Sequence, residues 1–279
     1  MTISRLAGAI PRAILIIGLI MAPSLLLPGV SSDGKQMVAL IALFASALTF
    51  VEYNATYPGL VEFRDAPPFN RIRYLLALLT VLTLTLIECG RVHPTTLSVL
   101  LETLGDLAGR GMDFPYSPVR LAAEMLQPDA SEAEVARLRS AAGLSCLLAL
   151  LVLTGFVTLL RLSRWPLGNG AFNVWVNLPT FDPTTGGDVI LRLRRDARLN
   201  VTLAFLLPFL IPAVVEFTGD GLDPMTLRSP QTLIWTMTAW SFLPASLFMR
   251  GVALARIAEM IREKRRLGVL PPAADYLPV

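Results

Sequence analysis

Ionisable residues are scarce in this sequence, and they are missing where they would say most. Only 16% of the 279 residues are charged, against roughly 25% in soluble domains. None lies in the middle of any of the six longest apolar runs. A charge at membrane depth costs on the order of 3 kcal/mol to insert and is kept for ion coupling, proton relay or ligand binding, so its absence argues against a proton- or sodium-driven carrier. Histidine occurs once, at His93, which excludes bis-histidine haem ligation within the chain. The two cysteines, Cys89 and Cys146, do not form a two-residue-spaced pair, and they read as free, buried thiols. There is no His-Glu zinc spacing and no Gly-rich loop ending in Gly-Lys-Ser or Gly-Lys-Thr. No cofactor and no resident metal are expected.

What is abundant is apolar surface, with 54% hydrophobic residues. A bilayer span needs about 20 apolar residues, and the runs fall at 13–30, 36–52, 72–89, 141–161, 199–216 and 232–250. The first, preceded by Arg5 and Arg12, resembles a signal sequence in its flanks but is long for one and reads as a retained span. The chain is therefore expected to be an all-α integral membrane protein, a six-helix transmembrane bundle forming a single domain over residues 1–266. Its primary partner is the lipid bilayer.

Orientation follows from arginine placement. With a cytoplasmic N-terminus, 17 of the 24 basic residues fall on inside segments and 7 on outside segments. The positive-inside rule then places both termini in the cytoplasm, in a bacterial-type inner membrane. The basic balance is read as a face toward anionic lipid and not as nucleic-acid binding.

The connecting segments have their own patterns. In the outer loop, 91–131, Leu97, Leu100, Leu101, Leu104 and Ala108 share one helical face, as in an amphipathic helix lying on the membrane. Ser131 followed by Glu134 is a capping box that starts the fourth span well outside the membrane. On the inner side, Phe172, Val174, Val176 and Leu178 alternate with other residues. After a Thr184-Thr185-Gly186-Gly187 turn signal, Val189, Leu191 and Leu193 alternate again, which predicts a small cytoplasmic β-hairpin within the 162–198 loop. The last span overruns the membrane through Arg266 before a tail at 267–279. Residues 53–73 are dense in aromatics, proline and arginine and are expected to pack at the interface, with Arg64 pairing Asp65. A faint echo joins Arg64-Asp65-Ala66 to Arg195-Asp196-Ala197, as a parallel duplication would.

The one constellation with chemical potential is Glu88, Cys89, His93 and Glu216, all near the outer interface, where they would suit a metal ion or an acid–base step. The plainer reading is that carboxylates end these spans because headgroup water begins there. An isolated hairpin is marginal in water, so Trp175, Val176, Arg192, Arg194, Arg262 and Arg265 are candidate contacts for another membrane protein or a second copy. The leading functional expectation is a non-catalytic accessory, assembly or scaffold subunit of an inner-membrane protein complex. The alternative is a carrier or channel for a small neutral or amphipathic solute, lined by the spans bearing Pro208, Pro212 and Pro244 and by Thr80 and Thr83. Third is a membrane enzyme using the outer Glu/Cys/His group.

Overall fold

The computed structural model describes residues 3–126, 130–163, 165–166, 172–182, 186–217 and 227–269. Where lipid offers no hydrogen bonds, the backbone must satisfy itself within each segment, and the chain does so with helices. Among the described residues six are long and apolar enough to cross a membrane: α1 (Ile3–Leu26), α2 (Ser32–Asn54), α3 (Phe69–Gly90), α6 (Glu132–Leu162), α8 (Val189–Phe217) and α9 (Pro230–Val269). Three shorter ones are α4 (Thr96–Gly111), α5 (Pro118–Glu124) and α7 (Val174–Asn177). Starts are set by side-chain caps: Ser31 accepts from the Gly34 N–H at 3.1 Å, and Thr95 forms a capping box with Ser98. The expected box at Ser131 and Glu134 is formed, and it begins α6 at Glu132.

Helix α9 is the centre of the bundle, packing against α8, α6 and α3. Leu84, Leu138, Met237 and Trp240 bury one core toward the α4 end. Phe63, Phe69, Phe156, Trp165 and Ile257 bury a second toward the opposite end, where the arginines collect. Helix α2 packs on α1 at the edge of the bundle, leaving Leu40, Ile41 and Phe44 more than half exposed. Apolar patches of this extent are a liability in water and ordinary against lipid. In α8, Pro212 has no N–H for the Pro208 carbonyl one turn earlier; the indole N–H of Trp240 on α9 donates to that carbonyl at 3.2 Å instead.

Helix α4 packs only Leu101 of its leucines against the core. Its small-residue face lies on α6, where a Cβ on Gly143 would stand 2.4 Å from the Gly109 Cα and one on Gly109 would stand 2.8 Å from the Arg139 carbonyl. Leu97, Leu100, Leu104 and Leu107 are left exposed, an outward apolar stripe of the kind that rests in a membrane interface.

The expected β-hairpin is not formed, and no strand occurs among the described residues. Gly187 takes a φ of +98°, but a helix follows it. Asp188 accepts from the Ile190 N–H at 3.2 Å, an N-cap that opens α8 at Val189. Ile190, Leu193 and Ala197 are buried while Leu191 is 66% exposed, which is helical and not alternating spacing. On the other arm, 174–177 form the short helix α7; residues 167–171 and 183–185 lie outside the described residues. The sequence echo has no structural counterpart, since Arg64-Asp65-Ala66 precedes α3 in a loop and Arg195-Asp196-Ala197 lies inside α8.

Candidate functional site

At the α4 end, Glu88 and its sequence neighbour Cys89 diverge. The Glu88 side chain, 4% exposed, turns to α6 and accepts from Arg137 through both oxygens, Nε–Oε1 at 2.9 Å and Nη2–Oε2 at 2.6 Å. Arg91 approaches the same carboxylate at 3.5 Å. Arg137 also donates to the Arg228 carbonyl at 3.1 Å, while the Arg228 guanidinium pairs with Glu134 at 2.6 Å. Cys89 turns to α1, where its Sγ lies 3.2 Å from the Leu26 carbonyl. His93 is exposed, and the Glu216 side chain lies outside the described residues. Among the described residues no three His, Cys, Asp or Glu side chains come together as metal ligands. Glu88 thus joins three segments of the fold through a carboxylate–guanidinium network. Arg137 and Arg228, absent from the sequence reading, hold it, and neither carries a local signal beyond lying near a span end.

The opposite end is a platform built on the overrun of α9. Forty residues of helix extend about 60 Å, roughly twice the hydrocarbon thickness, and the excess is clothed by the start of α8 and by residues 172–182. Asn177 is the joint. Its carbonyl accepts from Phe63 N–H at 2.7 Å and its side-chain oxygen from Asp65 N–H at 3.0 Å. Glu62 accepts from Arg250 of α9 at 2.6 and 2.8 Å and from Thr180 Oγ1 at 2.8 Å. Arg64 pairs with Asp65 at 3.1 Å as expected.

On this platform the contact candidates separate. Val176 is 8% exposed and belongs to the interior, and the Trp175 side chain lies outside the described residues. Arg192 stacks over the Phe181 ring at 4.6 Å. Arg265 donates to Asp188 at 2.8 Å; that hydrogen bond, helped by the Ile190 N–H, holds the Asp188 carboxyl below the usual range. Arg194 and Arg262 remain, sharing with Trp165, Glu259, Glu263 and Arg266 the wall of a shallow depression of about 440 Å³.

Of the residues expected to line a transport path, the threonines of α3 turn their hydroxyls to their own backbone. Thr80, Thr83 and Thr85 donate to carbonyls of their own helix at 2.6–2.9 Å. A groove of about 770 Å³ does run between α6 and α8, floored by α9, with Pro208 and Pro244 in its wall. In comparisons with known proteins, no family model, no curated protein and no solved structure matches this chain.

Proposed function

We propose that this chain is a non-catalytic accessory, assembly or scaffold subunit of a protein complex in a bacterial-type inner membrane, oriented with both termini and the platform in the cytoplasm. The observation that carries this reading is the platform itself: an overrunning helix braced by three other segments, with Arg194, Arg262 and Arg266 interleaved with Glu259 and Glu263 around one depression. Mixed charge around a half-apolar depression suits a protein contact, in which complementary charges set register and encounter rate. Among the described residues the spans supply nothing comparable for chemistry: the buried carboxylate of Glu88, at the end of α3, is held by Arg137, and that of Glu62, half-buried in the loop before α3, is held by Arg250. A photo-crosslinking residue in place of Arg262 should attach this chain to one polypeptide at constant stoichiometry, and Arg194→Glu should abolish the product while membrane insertion persists. A chain that purifies without partners and takes up solute into liposomes under a pH or sodium gradient would overturn the reading.

The groove between α6 and α8 favours a second reading, a path for a small amphipathic solute. Under it, Thr154→Trp, which fills the groove wall, should block flux of such a solute; unchanged flux removes it.

A further inference from the structure

Between α1, α2 and α3, beneath the loop at 55–68, lies a cavity of about 510 Å³. Arginines reach its wall from three directions, Arg12 from α1, Arg64 from the loop, and Arg71 and Arg73 from α3, and no Asp or Glu lines it. The carboxylates nearby are engaged elsewhere. Glu52 accepts from the N–H groups of Gly59, Leu60 and Val61 at 2.8–3.2 Å, and Glu62 is held by Arg250. Arg64 spends its own donors on Asp65 and on the carbonyls of Glu52 and Ala55. Arg12 gives one hydrogen of its guanidinium to the Gly8 carbonyl, and neither it nor Arg71 nor Arg73 has an ion-pair partner among the described residues.

Two of these three are placed with care. The Arg12 guanidinium lies 4.6 Å over the ring of Tyr53. Arg73 sits 5.5 Å from the ring of Phe69 and 5.8 Å from that of Phe242, and its Nε is buried with no acceptor among the described residues. A desolvated donor without an acceptor is unfavourable, and buried polar groups are otherwise almost always satisfied. Guanidinium forks facing one space are the arrangement that binds phosphate oxygens.

The cavity is also polar at one end only. Below Arg12 its wall continues along α1 as Leu15, Ile16 and Leu19, and below Arg73 along α3 as Tyr74 and Ala77, to Phe242 of α9. From Arg12 to Leu19 the descent is about 10 Å. Helix α2 packs on α1 and not along α3, so the slot opens sideways between them, toward the surface that faces lipid. A free phosphate uses the head of such a cavity and leaves the apolar wall idle; a phospholipid uses both.

We propose that this cavity is a specific site for one anionic phospholipid, its headgroup phosphate held by Arg12, Arg71 and Arg73 with the Tyr53 hydroxyl as a further donor, and its first acyl segment lying along Leu15, Leu19 and Ala77. The site is independent of the platform. In delipidated protein, phosphatidylglycerol should raise the melting temperature and remain bound one per chain in native mass spectrometry, while phosphatidylcholine, glycerol 3-phosphate and inorganic phosphate should do neither. Arg12→Gln and Arg71→Gln should each weaken phosphatidylglycerol binding roughly tenfold or more. Arg198→Gln, an exposed arginine on α8 outside the cavity, should leave it unchanged. Equal loss with Arg198→Gln would reduce the effect to diffuse surface attraction and overturn the site, as would an equal shift with glycerol 3-phosphate. The one-to-one retention by the unmodified chain is decisive even if Arg12→Gln fails to fold.

Discussion

Single side chains in this molecule matter chiefly through their partners. Glu88 is worth little as an isolated carboxylate at a helix end; with its side chain 4% exposed and Arg137 15% exposed, it is half of a nearly buried pair. Breaking such a pair strands the other charge, whereas replacing both members removes the desolvation term as well. Glu88→Gln should therefore lower stability by about 3 kcal/mol in detergent unfolding, and Glu88→Leu combined with Arg137→Met should lower it less than either single change. A double variant worse than both would show that the pair acts through something other than charge compensation. Asp113, outside the spans between α4 and α5, responds to pH. A hydrogen bond from Arg120 at 2.7 Å, aided by Arg139 at 3.2 Å, holds its carboxyl below the usual range. Its stabilisation is fully present above the unfolded value and is lost as pH falls through the depressed folded one. Asp113→Asn should accordingly destabilise at neutral pH, and the difference should shrink below about pH 4; a pH-independent difference would contradict the pairing.

Helices meet where side chains are small, and this decides how α4 sits. The Gly109–Gly143 approach leaves no room for a methyl group, so Gly143→Ala should force α4 off α6 and destabilise by roughly 1–3 kcal/mol. Gly155, on the same helix with nothing within 4 Å of its Cβ position, should accept Ala with a gain of up to about 1 kcal/mol. Comparing the two by thermal melting separates packing from helix propensity. The amphipathic pattern of α4 is legible in the sequence, but which face packs is not, because a hydrophobic stripe identifies an apolar neighbour without distinguishing lipid from protein. The segment beginning at Val189 misled for a related reason. Its alternation spans only five residues, too few to separate period 2 from period 3.6, and the Asp188 cap that starts α8 is the signal that identifies it as a helix.

For the whole chain, the proposed orientation rests on the arginine asymmetry and predicts accessibility. With Cys89 and Cys146 replaced, a cysteine at the exposed position Ser163 should label only from the cytoplasm, and one at the exposed position His93 only from the other side. The reverse pattern would invert the bundle and move the platform out of the cytoplasm. The same experiment bears on the candidate sites, which lie at opposite ends: Glu88, Cys89 and His93 at one, Arg194 and Arg262 at the other. Their residue types were readable as polar groups next to spans. Their roles were not, because each role depends on a partner from another helix.

The number of spans, the emptiness of their interiors and the end at which positive charge collects are all legible in the residue order, because hydropathy and charge act through local composition over about 20 residues. Which charges meet is settled by the packing of the helices. Arg137 reaches Glu88 across 49 residues and Arg250 reaches Glu62 across 188, and Arg12 shares a cavity with Arg71 and Arg73 from a different helix. Such pairings follow from how helices cross around α9, and crossing is governed by shape and small residues that no local window of sequence can rank.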